Sequence, residues 1–181
     1  MSQSKLLIAV IASLVLAGCS GNAGNSTNSA ANANAANPGN SSQGKAVPSP
    51  GKNFTKEDIA KLKWIEGSWK GMDGDNPFYE RYKINETAMI VENLKADGSV
   101  DGEPGRFELK NGEFGKGEGD LRSVASEIAD GFVQFVPGPA AKGNMYRFER
   151  KGPDSWQAVL EWQATGDRPA RQKVYVMERI K

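Results

Sequence analysis

Residues 54–181 predict an all-β fold, either an antiparallel barrel or a sandwich. Short apolar and aromatic segments recur along this part of the chain. Turn-forming segments such as DGDNP, KNGE and RKGPDS separate them, and almost no helical pattern lies between them. Gly, Pro, Asn and Asp recur in the turns because they supply a positive or a fixed φ. Asn111-Gly112 is the strongest hairpin signal. The strand candidates are Ser68–Met72, Phe78–Ile84, Ala88–Lys95, Arg106–Lys110, Glu113–Gly117, Leu121–Ile128, Phe132–Val136, Met145–Arg150, Trp156–Gln163 and Gln172–Ile180.

A short helix is expected before the first strand. The domain begins near Phe54, where the composition of the chain changes. Thr55 occupies a helix N-cap position, and Asp58 stands three residues later in the position of a capping box. The helix would run from Glu57 to Leu62.

Alternation of apolar and polar residues is clearest in Trp156–Gln163. Such alternation is typical of a strand with one buried face and one wet face. The buried face would carry Trp156, Ala158, Leu160 and Trp162, and the wet face Gln157, Val159, Glu161 and Gln163. The last three strand candidates together are typical of a meander. We also expect the carboxylates of Glu80, Glu92, Glu149 and Glu161 to face water.

The N-terminus has the pattern of a secretory signal peptide, residues 1–18. Lys5 precedes an apolar run, residues 6–16, that is shorter than the ~20 residues of a membrane-spanning helix. The run ends Leu16-Ala17-Gly18-Cys19-Ser20, which resembles the lipobox of bacterial lipoproteins. That resemblance implies cleavage before Cys19 and a covalent diacylglycerol and N-acyl lipid on it. The alternative is a secreted protein with an unmodified Cys near its cleavage site. Ser20, rather than Asp, implies the outer membrane in proteobacterial lipoproteins.

Residues 19–53 are expected to form the lipidated Cys and a disordered tether rich in Asn, Ala, Gly and Ser. This segment contains no aromatic residue and cannot bury enough apolar surface to offset ordering. The first 53 residues hold no Asp or Glu and three of the 23 Lys and Arg residues. The remainder therefore has 20 basic and 22 acidic residues, a net charge near −2. A domain with this balance lacks the basic field that nucleic acid binding requires.

The residue inventory excludes several kinds of chemistry. The chain has no His, and its single Cys is the predicted lipid-bearing residue. Ser-His-Asp and Cys-His catalysis, and zinc sites built from His or Cys, therefore lack their side chains. No catalytic residue and no cofactor besides the lipid is expected, so we expect a protein that is not an enzyme. An enzyme that relies on carboxylates is a third, weaker hypothesis, because no motif supports it.

Two acidic stretches are candidate sites, the first for calcium and the second, with Glu113, Glu118 and Asp120, for a pair of catalytic carboxylates. Asp97, Ser99, Asp101 and Glu108 share the spacing of a calcium-binding EF loop. Pro104 stands where such a loop needs an apolar residue, and the flanks read as strands rather than helices. We therefore expect a hairpin turn and no metal. The second stretch, residues 113–120, is expected to be a solvated hairpin edge.

The entry to the first strand carries a family resemblance. Trp64-Ile65-Glu66-Gly67-Ser68-Trp69-Lys70-Gly71 follows the expected helix and resembles the Gly-x-Trp entry of the lipocalin and calycin superfamily. It is closer still to bacterial calycin-like domains of unassigned function. The resemblance implies an up-and-down barrel of eight to ten strands over residues 54–181. It also implies that Arg179, on the last strand, packs over Trp69 and closes the barrel. Related barrels that hold haem through an axial His also share the entry, but a chain without His cannot take that role.

The lumen of such a barrel is the candidate binding site. An eight-stranded barrel is wide enough either to be filled by its side chains or to hold one small ligand, and both alternatives remain open here. The candidate lumen residues are Phe78, Tyr82, Phe107, Phe135, Tyr146, Phe148, Trp156 and Trp162. One hypothesis is a membrane-tethered, lipocalin-like binding protein that holds a small apolar ligand. The other is an interaction protein of the cell envelope, an inhibitor or assembly accessory, that uses a barrel face or loops around a filled lumen.

Overall fold

The computed structural model describes residues 53–181. The predicted signal peptide, Cys19 and all of the predicted tether up to residue 52 lie outside the described residues. A five-residue helix, α1 (Lys56–Ala60), continues directly into a 3-10 helix, Lys61–Ile65. The N-terminal end follows the expected capping pattern, because the Thr55 backbone N–H donates to Asp58 Oδ2 at 3.0 Å. The predicted helix is confirmed, although its last two residues, Lys61 and Leu62, belong to the 3-10 helix rather than to the α-helix.

Ten strands form one closed barrel in which every neighbouring pair is antiparallel. Each strand pairs with the next one in sequence, and β10 pairs with β1 to close the ring. The all-β, up-and-down barrel prediction is therefore confirmed. The strands are β1 Gly67–Asp73, β2 Asn76–Ile84, β3 Ala88–Leu94, β4 Gly105–Lys110, β5 Glu113–Lys116, β6 Ser123–Ala129, β7 Phe132–Pro137, β8 Met145–Gly152, β9 Ser155–Trp162 and β10 Arg171–Arg179.

The strand bounds differ from the predicted ones by at most two residues at either end. The sixth predicted strand began at Leu121, but Gly119–Leu121 is a 3-10 turn and the strand starts at Ser123. The predicted hairpin at Asn111-Gly112 is present, with φ of 53° and 79° at its two central residues. These positive values are those of the turn that best matches the twist of the flanking strands.

Side chains that point inward fill the barrel with apolar groups. Along β9, Trp156, Ala158 and Leu160 are buried as predicted. Val159 is a correction, because it was expected to face water and is fully buried between its cross-strand neighbours Arg147 and Val174. On β1, a Cβ added at Gly71 would lie 2.2 Å from Phe78 Cζ. Only glycine lets this ring from β2 cross over β1.

Candidate functional site

Helix α1 and the 3-10 helix that follows it close one end of the barrel. Ile59, Leu62 and Ile65 are buried there, with relative exposures of 0%, 0% and 1%. The Phe54 N–H donates to Gly112 O, in the β4–β5 turn, at 2.8 Å. The indole N–H of Trp69 donates to Ile65 O at 2.7 Å. The helix therefore caps the end where the β2–β3 and β4–β5 turns lie, and any entry route from that end is covered by apolar side chains.

Arg179 lies over Trp69 at this closed end. Its guanidinium carbon is 4.1 Å from the centroid of the indole, and Nη1 donates to Glu66 O at 2.8 Å. Nε of the same side chain is 3.2 Å from Asp154 Oδ1. This is the contact that the family resemblance implies. Its role is structural, because it joins the first strand to the last.

The inner half of the lumen is filled by aromatic rings. Tyr82 on β2 and Phe148 on β8 lie on strands separated by three others, yet their ring centroids are 6.3 Å apart. Trp156 lies between these walls, with its ring centroid 5.5 Å from Tyr82 and 6.1 Å from Trp69. The buried Trp156 Nε1 has no hydrogen-bond partner among the described residues. Packing in the cluster must therefore offset an unpaired donor, which costs about 1–3 kcal/mol.

The predicted lumen residues divide into two sets. Six are buried in the central cluster, namely Tyr82, Phe107, Phe135, Tyr146, Phe148 and Trp156. Phe78 and Trp162 are partly buried and pack against the cluster from the end opposite the helix. We call the inward-facing positions of this end the barrel mouth, defined by Phe78, Glu80, Lys116, Tyr146, Trp162 and Tyr175. Longer connections, residues 95–104, 117–122, 138–144 and 163–170, surround it.

Glu80 is a correction to the sequence-based expectation that it faces water. It is 6% exposed, and it lies between Phe78 and Tyr82 on the inward face of β2. The Tyr82 hydroxyl donates to Glu80 Oε2 at 2.7 Å. Burial raises the pKa of Glu80 above its usual range, while the Tyr82 hydrogen bond and the charge of Lys116 act in the opposite direction. The Phe78-x-Glu80-x-Tyr82 spacing was the sequence signal that places this carboxyl inward.

Lys116 is a second inward-facing charge that sequence reasoning missed. It lies two residues after the fully buried Phe114 on β5, and its Nζ is 5.0 Å from the centroid of the Phe107 ring. Burial lowers the pKa of Lys116, and the charge of Glu80 raises it. The alternation of Phe114 and Lys116 in a four-residue strand was too short to indicate the inward face.

Ser123 and Tyr146 supply two hydroxyl groups that are hydrogen-bonded to each other. Ser123 is the cross-strand partner of Lys116 on β6, and Ser123 Oγ donates to the Tyr146 hydroxyl oxygen at 3.0 Å. Burial raises the pKa of Tyr146, so this phenol keeps its proton at neutral pH. The mouth therefore combines an ammonium group with hydroxyl donors above an aromatic floor.

Two more cations belong to the mouth end of β10. Arg171 lies over Trp162, with its guanidinium carbon 4.6 Å from the ring centroid. Lys173 lies 4.7 Å from the Tyr175 ring centroid and pairs with Asp73 at 2.6 Å. Both residues occupy alternate positions on β10 with Tyr175, so all three point to the inward face of the strand. The partly exposed cations of this end thus border aromatic surface.

The acidic stretches have local roles. Asp97 Oδ1 accepts hydrogen bonds from the Ser99 N–H at 2.9 Å and the Ser99 hydroxyl at 2.6 Å, which is a turn between strands. Glu108 pairs with Arg106 and Lys110. Over residues 53–181, no group of three or more acidic, His or Cys side chains is arranged to hold a metal ion.

Comparisons with protein-family models, with curated proteins and with solved structures give no match to the chain. Within the described part of the chain, no helix has the length and apolar character needed to cross a membrane.

Proposed function

We propose that this protein is a lipid-anchored, calycin-like binding protein of the bacterial envelope that holds a small apolar molecule at the barrel mouth. The supporting observation is the contrast between the two ends of the lumen. The helix end is capped and filled, whereas Phe78 and Trp162 at the mouth are inward-facing yet only partly buried. Concave apolar surface with a few polar groups is the usual form of a small-molecule site.

The filled inner half limits the size of the ligand. Rings from opposite walls contact one another around Trp156, so a ligand would rest on this aromatic floor rather than thread through the barrel. The Trp69–Arg179 contact and the closed ten-strand ring support the calycin relation. The proposal is therefore a short or compact ligand held near the mouth.

A binding role, rather than catalysis, is proposed from the inventory of reactive groups. Glu80 is the single buried carboxylate among residues 53–181. Hydrolysis by a pair of carboxyl groups requires a second carboxyl group within several ångströms of the first. The chain contains no His. This inventory supports a recognition role for the interior.

Membrane attachment is proposed from the Leu16-Ala17-Gly18-Cys19 sequence. A diacylglyceryl and an N-acyl group on Cys19 would supply the two or more chains that stable anchoring needs. Ser20 favours the outer membrane. A tether of about 30 residues has a root-mean-square reach of ~30 Å, which would keep the barrel near the membrane.

The binding role is tested by native mass spectrometry of the lipoprotein released gently from its own membrane. We expect a retained small molecule, and we expect Phe78→Ser to lose it. Met72→Ser, on the outer face of the neighbouring strand and 45% exposed, is the matched control and should retain it. A mass equal to the lipidated polypeptide alone, together with no binding of added apolar probes, would contradict the proposal.

The second candidate is an interaction protein of the envelope, and one outer strip favours it. Met72, Val174 and Val176 are 45%, 44% and 56% exposed on the outer face of β1 and β10. Exposed apolar side chains that adjoin one another are typical of protein contact surfaces. Under this alternative, Val176→Lys would release a specific envelope protein that co-purifies with the wild type, and Phe78→Ser would not.

A further inference from the structure

The barrel mouth contains an ammonium group without a direct partner. Lys116 forms no hydrogen bond and no ion pair with any of residues 53–181. Its Nζ lies over Phe107, a ring that is 3% exposed. Glu80 acts on Lys116 through its charge alone, and its carboxylate accepts the Tyr82 hydroxyl instead. Taking a charge out of water is costly unless another group compensates it. An ammonium held in this position is therefore prepared for an incoming acceptor.

A second donor is connected to the position of Lys116 through Ser123. Lys116 pairs across the strands with Ser123, whose hydroxyl donates to Tyr146 Oη at 3.0 Å. Because the Ser123 proton occupies that bond, the proton of Tyr146 is left to donate elsewhere. No residue of the described range accepts it. Tyr146 is 4% exposed, so this is a buried hydroxyl facing the same region of the lumen.

The charge around the mouth also favours an anion. The inward-facing cations are Lys116, Arg171 and Lys173, and the acids are Glu80 and Asp73. Asp73 is occupied by Lys173. The remaining groups carry an excess of positive charge in a partly water-excluded site, where charge interactions are stronger than in water.

We propose that the barrel mouth binds a small amphipathic carboxylate, whose charged group accepts hydrogen bonds from Lys116 and Tyr146 while its apolar part lies against the aromatic side chains of the mouth. This inference rests on the proposed binding function and adds the chemical class of the ligand. Charge-assisted hydrogen bonds from an ammonium are stronger than neutral ones. The acid should therefore be preferred over a neutral analogue of the same shape.

The test compares 4-phenylbutanoate with 4-phenylbutan-1-ol by calorimetry. The full chain is held in lipid nanodiscs, and empty nanodiscs provide the reference for partitioning into lipid. We expect the acid to bind at least about tenfold more tightly than the alcohol. Lys116→Met should weaken binding of the acid about tenfold or more and leave the alcohol within about twofold. Lys70→Met, an exposed lysine on β1, is the matched control and should change neither.

Equal binding of acid and alcohol, or no effect of Lys116→Met, overturns the anion inference and leaves the binding function standing. Binding of neither compound overturns both. If Lys116→Met lacks the circular dichroism spectrum of the folded wild type, Tyr146→Phe replaces it. This substitution removes one hydroxyl, and it should lower the affinity for the acid about three- to tenfold without affecting the alcohol; an unchanged affinity for the acid would overturn the inference.

Discussion

The guanidinium of Arg179 lies 4.1 Å from the ring centroid of Trp69 and connects the last strand of the barrel to the first. The contact extends to the backbone, because Arg179 Nη1 donates to Glu66 O at 2.8 Å. Gly67 makes room for it, since a Cβ at that position would lie 2.4 Å from Nη1 and its φ is +118°. The strand-closing contact therefore depends on one cation, one indole and one glycine.

Arg179→Ala should lower the free energy of unfolding by about 1–3 kcal/mol. It removes a cation–π contact of ~0.5–2 kcal/mol and leaves the Glu66 carbonyl without its donor. Thermal or urea unfolding followed by circular dichroism measures the loss. Arg168→Ala, an exposed residue of the β9–β10 connection, is the control and should stay within ~0.5 kcal/mol. Equal, small losses for both variants would contradict a closing role for Arg179.

The two tryptophans of β9 should differ in their effect on stability. Trp156 is 1% exposed at the centre of the aromatic cluster, so Trp156→Ala should cost about 3–5 kcal/mol. Trp162 is partly exposed at the mouth, and Trp162→Ala should cost about 1 kcal/mol or less while weakening ligand binding. Urea unfolding of both variants checks this prediction. A loss at Trp162 as large as that at Trp156 would show that the mouth is packed like the core.

The fold could be predicted from the sequence because its signals are local. Turn residues such as Asn111-Gly112 mark strand ends whatever the tertiary context, and all ten strands were predicted within a few residues. The turn before Ser123 was missed, because Leu121 continues the apolar pattern of the strand that follows it. Which strand closes the ring depends on pairing between distant segments. It was expected from the Trp69 motif rather than from any periodicity.

Only the apolar residues of the candidate site could be predicted from the sequence. Aromatic residues on alternating positions indicated the lumen, but alternation does not show which end a helix will cap. Glu80 was expected to face water because carboxylates are seldom buried. Its partner Tyr82 lies only two residues away, so the hydrogen bond that keeps it inside is local. The position of Lys116 depends on the register of β5 with β6, which the sequence does not specify.

The barrel should fold without the segment that precedes it. A protein lacking residues 1–53 should melt within a few degrees of a soluble form that retains the tether, because this segment contains no aromatic and almost no branched apolar residue beyond the signal peptide. Removal of residues 1–65 is the matched comparison. It also deletes the buried Ile59, Leu62 and Ile65, so it should lower the melting temperature markedly or prevent folding. Scanning calorimetry measures both. Similar melting of the two shortened proteins would contradict a capping role for the helix.

Cys19 should carry the lipid. Cells fed a clickable fatty acid should label the wild type but not Cys19→Ala, which has no other thiol to modify. Ser20→Ala should remain labelled and serves as the control for effects on export. Ser20→Asp should remain labelled but fractionate with the inner membrane if the proteobacterial sorting pattern applies. Label on Cys19→Ala would contradict the lipoprotein assignment.

Glu80 should make the folded state less stable as the pH rises. Burial raises its pKa in the folded state above the value of 4.5 that it has when exposed. Between these two values the folded protein binds more protons than the unfolded chain, so the free energy of unfolding falls with increasing pH. Above the folded-state pKa the carboxylate is charged in both states, and the full cost of burying it lowers the free energy of unfolding. Each unit by which the pKa is raised corresponds to about 1.4 kcal/mol of this cost.

Glu80→Gln should therefore be more stable than the wild type above this window and should lose the downward slope within it. The amide oxygen still accepts the Tyr82 hydroxyl, while the buried charge is removed. Glu92→Gln is the matched control on β3, because hydrogen bonding from Lys83 lowers the pKa of Glu92. That group contributes stability above pH 4.5 that is lost as the pH falls, so its replacement should destabilise the protein at neutral pH. Urea unfolding from pH 4 to pH 8 distinguishes the stabilisation expected for Glu80→Gln from the destabilisation expected for Glu92→Gln. A Glu80→Gln variant that is less stable than the wild type at pH 8 would mean that attraction between Glu80 and Lys116 outweighs the cost of burying the carboxylate.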